Sequence, residues 1–349
     1  MSTKQEISAL FSVATAVSAG EGTSAGRTRV AALDFTKGAL VLIMVLYHWL
    51  DFFVTRNGRI FDYLRFLTPS FIFITGFMIS QHYSSRYGDR MKIGGRLERR
   101  GVKLLAIALF LNLAPATLGV LSGGAFGGWH LISTATAVLT ASSRVGFGVL
   151  VAISYLLILA GVLTIVGLAD KIAHLSLCFI FIICALVLEI ANAPSGYLQL
   201  ITIGTLGLCI GHVPLPTINR ITVQRGALFF LWAVYQLAVT AWSVPFVSQI
   251  VGVCISVAVL YSLGLASGDA AFLPHMVIRL GQYSLCAYIV QIAILQGLRR
   301  GTSHFQPSVW VAGAALISCT FCLTAAMELL HRARLSVPGI NRLYLAIFG

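Results

Sequence analysis

Apolar runs follow one another along almost the whole sequence. Ten of them approach the roughly 20 residues that an α-helix needs to cross the hydrocarbon of a bilayer. They cover residues 38–54, 66–82, 101–121, 145–168, 172–191, 197–213, 226–245, 247–266, 277–298 and 308–330. Hydrophobic residues make up 58% of the chain and charged residues 10%, which excludes an ordinary soluble globular domain. The sequence therefore predicts an all-α polytopic membrane protein with about ten transmembrane helices.

The positive charges predict the orientation of these helices. With ten crossings both termini lie on one side, and 18 of the 24 Lys and Arg residues fall in the segments on that side. Because short cytoplasmic loops are enriched in Lys and Arg, both termini are predicted to be cytoplasmic and the protein to be a multi-pass protein of the cell (inner) membrane. The net charge of +13 then reflects topology and attraction to anionic lipid. No interleaving of basic and aromatic residues indicates nucleic-acid binding.

The chain divides into one membrane domain and two short ends. Residues 1–30 are polar, small and Gly-rich, and we expect a mobile cytoplasmic tail there. Residues 31–335 form the transmembrane domain, and residues 336–349 are a cytoplasmic C-terminal tail. A further apolar stretch at 131–142 is too short and too rich in Ser and Thr to cross the bilayer, so we interpret it as a re-entrant or interfacial segment.

Cysteines and common motifs exclude several classes of chemistry. All seven cysteines lie inside predicted spans, which argues against a disulfide framework. The CxxC spacing of Cys319 and Cys322 lacks a second ligand pair, so no metal site is predicted. Walker, dinucleotide-binding, HExxH and GxSxG motifs are absent from the sequence. We expect no bound cofactor and no metal.

The first apolar run carries ionisable residues in a regular pattern. Lys37 and His48 are eleven residues apart, so on a helix they lie on one face, about 16 Å apart along the axis. Asp34 and Lys37 are spaced i, i+3, as are His48 and Asp51, so each pair can make contact. An ionisable group at depth in a membrane is costly and indicates a functional site. The alternative is that Asp34 and Lys37 anchor the helix at the membrane interface, and that His48 and Asp51 are a polar pair that satisfy each other's hydrogen bonds.

A basic segment precedes the third run, at residues 86–103. Arg96, Arg100 and Lys103 recur at i, i+4 and i+7 and predict one cationic face of a helix, with Arg99 one position off it. Guanidinium groups bind phosphate oxygens in pairs, so this face could hold the phosphates of a nucleotide such as coenzyme A. The alternative is ordinary anchoring on the cytoplasmic side.

Four segments, taken in order, resemble the acyltransferase-3 family. LDFTKGALVLIMVLYH (33–48) is similar to its first span, in which a basic residue and a His are separated by ten residues. FLTPSFIFITGFMIS (66–80) is similar to its Phe-rich second span, which is also reminiscent of heparan-α-glucosaminide N-acetyltransferases. RLERRGVK (96–103) resembles its Arg-x-x-Arg region, and LGQYSLCAYIVQ (280–291) resembles a Leu-Gly-x-x-Ser-x-x-x-Tyr element. Position 37 is Lys where Arg is commoner, and position 291 is Gln where many relatives have His.

The resemblance implies transfer of an acyl group from cytoplasmic acyl-CoA to a hydroxyl of a glycan or lipid-linked sugar. It implies that His48 is the general base, oriented by Asp51. Lys37, supported by Asp34, would hold the donor near the inner mouth. The basic residues of the Arg-x-x-Arg region would bind the nucleotide end of the donor: Arg96, Arg99, Arg100 and Lys103. Direct transfer and a route through an acyl-histidine both remain open.

Two further points are open at this stage. Trp129 and His130 lie in a Gly-rich outer loop and are candidates for stacking on an acceptor sugar, although both residue types also serve as interfacial anchors.

The competing function is a proton-coupled secondary transporter or flippase in which His48 and Asp51 form a relay. The sequence determines neither the acyl group nor the acceptor, and it does not determine the oligomeric state.

Overall fold

A computed structural model of the chain describes residues 30–54, 58–83, 90–121, 135–140, 147–242, 245–267, 272–302 and 308–348. These residues are helical almost throughout and contain no strand. Residues 1–29 lie outside the described ranges, so the mobile N-terminal tail stays a prediction.

The helices are numbered here in chain order. They are α1 (Ala31–Trp49), α2 (Ile60–Tyr63), α3 (Leu67–Tyr83), α4 (Arg90–Leu121), α5 (135–140), α6 (Gly148–Val166), α7 (Lys171–Ile190), α8 (Gly196–Ile210), α9 (Leu215–Thr222), α10 (Arg225–Ala241), α11 (Phe246–Ala266), α12 (Phe272–Gln282), α13 (Ser284–Gly301), α14 (Val309–Ser336) and α15 (Pro338–Phe348). Helix α1 continues without interruption into a π-helical turn, Leu50–Val54. The predicted C-terminal tail therefore contains a helix of its own, α15.

Local sequence fixes where several of these helices begin and end. Asp170 precedes α7 and accepts a hydrogen bond from the Ala173 amide (3.3 Å), and Ser308 does the same for Val311 at the start of α14 (3.2 Å). Each side chain satisfies an amide that lacks a partner within its helix. Gly167 ends α6 in the left-handed conformation at φ 85°, which favours glycine.

The described helices support a multi-pass membrane protein. Six segments are long and apolar enough to cross a bilayer: α1 with its π turn, α2 with α3, α6, α7, α11 and α14. Two bent pairs raise the number to eight if each is one crossing, since α8 and α9 meet at 105° and α12 and α13 at 97°. The other two predicted crossings fall on α4, whose first half is strongly basic, and on α10, which has only 17 residues. The count of ten and the cytoplasmic termini stay predictions.

Helix α1 lies in the middle of the helical bundle. It packs against α3, α11, α12, α13 and α14. Leu40 and Met44 belong to a large core built with α3, α6 and α8, while Val41 and Val45 belong to a second core built with α13 and α14. All four side chains are buried. The helix predicted to carry the functional stripe is therefore enclosed on several sides.

Small residues bring α4 into close contact with α6. A Cβ atom at Gly94 would lie 2.8 Å from the Gly161 carbonyl oxygen, and one at Gly101 would lie 2.9 Å from the Ser154 carbonyl oxygen. A Cβ atom does not fit at either distance, so glycine permits this approach. The glycine face of α4 is thus buried against α6, and the basic face points away from that contact.

The apolar stretch predicted as a re-entrant or interfacial segment is described only at residues 135–140. These form the short helix α5, in which Val138 is buried and its carbonyl oxygen accepts a hydrogen bond from the Tyr197 hydroxyl (2.6 Å). Six helical residues are far fewer than a crossing needs. The rest of the stretch lies outside the described residues, so its path through the membrane stays a prediction.

Candidate functional site

The predicted contact between Asp34 and Lys37 is present in the first half of α1. Lys37 Nζ lies 2.6 Å from Asp34 Oδ1, and both side chains are largely shielded from solvent. Helix α12 crosses α1 at this level, where the Asp34 carbonyl oxygen lies directly against Gly281. A shielded carboxylate is costly without a cation beside it, so Lys37 stabilises Asp34 in addition to any role with a ligand.

His48 lies in the last turn of α1 among aromatic rings. The ring centroid of Tyr47 is 5.4 Å from that of His48, that of Phe52 is 6.2 Å away, and that of Tyr288 on α13 is 6.4 Å away. The Nε2 atom is enclosed and has no hydrogen-bond partner among the described residues. Buried polar atoms in native proteins are nearly always bonded, so this nitrogen is free to bond a water or a ligand.

The expected contact between His48 and Asp51 is absent from the structure. No hydrogen bond or ion pair joins these two described side chains. The reason is local, because α1 changes into a π-helical turn at Leu50. A π-helix has more residues per turn than an α-helix, so residues three apart no longer lie on one face. The role of Asp51 in orienting His48 therefore stays a prediction.

The basic residues of α4 form the exposed cationic face that their spacing predicts. Arg96, Arg99, Arg100 and Lys103 are all exposed. Lys103 Nζ donates a hydrogen bond to the Ala346 carbonyl oxygen of α15 (3.1 Å). This contact joins two segments that are more than 240 residues apart in sequence, so the cationic face of α4 meets the C-terminal helix.

A second group of charges comes from α12 and α14 and was not predicted. Arg279 of α12 forms an ion pair with Glu328 of α14, and Glu328 also accepts a hydrogen bond from Arg332 (2.8 Å). The Tyr283 hydroxyl, at the bend between α12 and α13, lies 3.0 Å from His331 Nδ1. The run HRAR at 331–334 was visible in the sequence, but nothing in it indicated that Arg279 would be its neighbour.

Tyr344 of α15 connects the two groups of charges. The Arg334 guanidinium carbon lies 3.9 Å from the Tyr344 ring centroid and 5.4 Å from that of Tyr283, within the range of a cation–π contact. Burial raises the pKa of the Tyr344 hydroxyl, and the cations of Arg334 and Arg100 act in the opposite direction. We name Arg100, Lys103, Arg279, Arg332 and Arg334 the basic cluster. Three distant parts of the chain build it, and it carries more positive than negative charge.

A cavity of about 410 Å³ opens beside the C-terminal end of α1, the end that carries His48. Tyr47 and Phe61 supply aromatic rings to its wall, and Asp62, Arg65 and Gln249 supply polar groups. The Tyr47 ring lines the cavity and neighbours both Phe61 and His48, with its centroid 5.2 Å from that of Phe61 and 5.4 Å from that of His48. The volume falls within the range of small-molecule sites.

Two sets of residues lie apart from this arrangement. Trp129 and His130, predicted to contact the acceptor, lie outside the described residues, so their role stays a prediction. A polar pair that the sequence analysis missed joins α7 to the turn after α8, where His174 Nδ1 lies 2.8 Å from His212 Nε2. The two histidines are 38 residues apart, so no sequence spacing pointed to their contact.

Comparisons with protein-family models, with curated proteins and with solved structures find no match to this chain. Within the described ranges, no group of three or more His, Cys, Asp or Glu side chains could hold a metal ion.

Proposed function

We propose that the chain is an integral-membrane acyltransferase that moves an acyl group from cytoplasmic acyl-CoA to a hydroxyl of a glycan or lipid-linked sugar. One observation carries the proposal: a single central helix, α1, has the enclosed and unpartnered His48 near one end and packs near its other end against α12, the helix that carries Arg279 of the basic cluster. An anionic donor and a neutral acceptor could then approach one imidazole from opposite ends. The four segments that resemble the acyltransferase-3 family support the same reading.

The basic cluster suits the nucleotide end of acyl-CoA. Its guanidinium groups can each offer two N–H donors to phosphate oxygens, and the Lys103 ammonium adds a point charge. Arg96 and Arg99 extend the same exposed face along α4. Lys37, which pairs with Asp34 in the first half of α1, is proposed to contact the acyl-bearing arm of the donor. Glu328 partly neutralises Arg279 and Arg332, which leaves Arg100, Lys103 and Arg334 as the strongest candidates for phosphate binding.

His48 Nε2 suits the role of general base. The hydroxyl oxygen of the acceptor attacks the thioester carbonyl carbon while Nε2 takes the hydroxyl proton. The carbon–sulfur bond then breaks, and the coenzyme A thiolate leaves and takes the proton from His48. A two-step route is the alternative, in which Nε2 attacks first and forms an acyl-histidine that the hydroxyl then cleaves.

The acceptor is proposed to bind in the cavity beside Tyr47. Aromatic rings stack on the apolar faces of sugars, while carboxylate, guanidinium and amide groups hydrogen-bond to hydroxyls. The cavity wall supplies all four kinds of group: the ring of Tyr47, the carboxylate of Asp62, the guanidinium of Arg65 and the amide of Gln249. Tyr47, which lines the cavity and also neighbours His48, is the residue that links the proposed acceptor site to the proposed base.

The proposed path has ten crossings with both termini in the cytoplasm. Two contacts support this path. Each joins distant segments that the path places on the same side of the membrane. Gln249 donates a hydrogen bond to the Arg65 carbonyl oxygen (3.2 Å) on the proposed outer side, and Lys103 contacts Ala346 (3.1 Å) on the proposed inner side. The excess of Lys and Arg on the inner side agrees with it.

A proton-coupled secondary transporter or flippase is the second candidate. The bent pairs favour it, since broken helices are common at transporter substrate sites and α8–α9 and α12–α13 bend by 105° and 97°. Against it, no hydrogen bond or ion pair joins the described side chains of His48 and Asp51, so the relay that this function needs has no direct first step.

The two candidates are separated by one assay with the purified protein. Radiolabelled acetyl-CoA and succinyl-CoA are incubated with the protein and with a glycan extract from the source cell, and label transferred to glycan is counted. We expect transfer with at least one donor and none with a His48→Gln protein. Proton-coupled uptake into proteoliposomes without any acyl transfer would instead support the transporter.

A further inference from the structure

Gln291 is the described residue with the most unusual polar environment. It lies on α13 with its side chain fully buried, and neither Nε2 nor Oε1 has a hydrogen-bond partner among the described residues. Leaving both halves of a carboxamide unpaired in an apolar interior is strongly unfavourable. A side chain of this kind is normally bonded to protein, water or ligand.

The position of Gln291 links it to His48. Tyr288 precedes Gln291 by three residues and therefore shares its face of α13, and the Tyr288 ring centroid lies 6.4 Å from that of His48. This face packs against α1. Two neighbouring helices thus present unpartnered buried groups in one region, the His48 Nε2 atom and the Gln291 carboxamide.

We propose, on the basis of the proposed acyl transfer, that Gln291 binds the carbonyl oxygen of the acyl thioester. Its Nε2 N–H donates to that oxygen, and its Oε1 is left to accept a hydrogen bond from a second hydroxyl of the acceptor. A carboxamide offers both a donor and an acceptor and stays neutral at every pH. It therefore matches a carbonyl next to a hydroxyl and avoids burying a charge.

The chemistry gives Gln291 a larger effect on the transition state than on binding. When the acceptor oxygen bonds to the thioester carbon, its proton passes to His48 and the carbonyl electron pair moves onto the oxygen that Gln291 contacts. The hydrogen bond from Nε2 strengthens as that negative charge develops. It weakens again when the carbonyl re-forms, the carbon–sulfur bond breaks and the thiolate takes the proton from His48.

Two methionine variants test this role. Gln291→Met keeps the side-chain length and removes both polar atoms, and Gln296→Met makes the same change at an exposed site on the same helix. We expect Gln291→Met to lower kcat about 10²- to 10³-fold, as for loss of an oxyanion donor, with acetyl-CoA affinity close to that of wild type. Without acetyl-CoA, Gln291→Met should melt no lower than wild type, because the substitution removes an unpaired buried amide. Gln296→Met should change neither quantity.

Gln291→His adds a check on the chemistry, since it keeps an N–H donor and should retain more of the rate than Gln291→Met. The proposal is overturned if Gln291→Met melts at a lower temperature and transfers acyl groups at the wild-type rate per folded molecule, because Gln291 would then be a structural residue. Equal losses in the His and Met variants would also overturn it. If the wild type itself transfers no acyl group to any acceptor, the proposed function fails, whereas an active wild type with an equally active Gln291→Met protein rejects only this inference.

Discussion

Gly38 of α1 and Gly281 of α12 lie in backbone contact. A Cβ atom at Gly38 would collide with the Val277 carbonyl oxygen, and one at Gly281 would collide with the Asp34 carbonyl oxygen. This crossing packs the half of α1 that carries Lys37 against the helix that carries Arg279. The proposed donor path depends on it, since α12 connects the central helix with the basic cluster.

The first prediction concerns this crossing. Gly281→Ala should lower the free energy of unfolding by about 1–3 kcal/mol, because the added methyl forces the two backbones apart. Gly297→Ala on α13 is a matched control, since a Cβ atom there meets nothing within 4 Å and alanine favours a helix over glycine. Thermal unfolding in detergent compares the two variants. Equal melting temperatures for both would contradict the close contact.

The second prediction concerns the ion pair of Asp34 and Lys37. Lys37→Met leaves a shielded carboxylate without a cation and should destabilise the protein by about 3–5 kcal/mol, whereas Asp34→Asn combined with Lys37→Met should recover most of that loss. Lys37→Arg should keep both stability and activity. If Lys37 also contacts the donor, the double variant will be stable but will bind acetyl-CoA more weakly than wild type. Wild-type affinity in the double variant would restrict Lys37 to a structural role.

The third prediction concerns the basic cluster. Arg100→Gln, or Arg99→Gln next to it, should weaken acetyl-CoA binding by about 1–3 kcal/mol, the scale of a lost charged hydrogen bond. Membrane insertion should be unaffected, since the residues are exposed. Arg225→Gln, an exposed arginine at the start of α10, is the control and should leave the dissociation constant unchanged. The same affinity in all of these proteins would leave the cationic face of α4 with an anchoring role alone.

The fourth prediction concerns topology. In a cysteine-free background, single cysteines placed next to Arg90 and Arg334 should react with a membrane-impermeant maleimide only after the cells are opened. Cysteines at Asn57 and Thr302 should react in intact cells, because the proposed path puts them outside. The reverse labelling pattern would contradict entry of the donor from the cytoplasm.

The sequence predicted the features that depend on local spacing. The i, i+3 contact of Asp34 with Lys37 and the exposed basic face of α4 both follow from helical periodicity, and both are present. Periodicity failed at Asp51, because the hydrophobic pattern does not reveal a change from α-helix to π-helix at Leu50.

Features built from distant segments could not be predicted in the same way. Arg279 and Glu328 meet across 49 residues of chain, and their contact depends on the packing of α12 against α14. The cavity beside Tyr47 likewise needs Gln249 from α11. Such residues have no regular spacing in the sequence, so a single sequence does not indicate that they are neighbours. Gln291 was noticed only as a departure from the family pattern, and its complete burial came from the packing of α13.

The most direct test of the account is the rate of acyl transfer by a His48→Gln protein. As general base, His48 should contribute about 10²- to 10⁴-fold to the rate, so His48→Gln should nearly abolish transfer while the protein still folds and binds acetyl-CoA. Asp51→Asn, which removes a carboxylate that does not contact His48, serves as the neighbouring control and should lose much less. Loss of transfer with retained acetyl-CoA binding is the predicted result, and near-normal transfer by the His48→Gln protein would contradict the central claim.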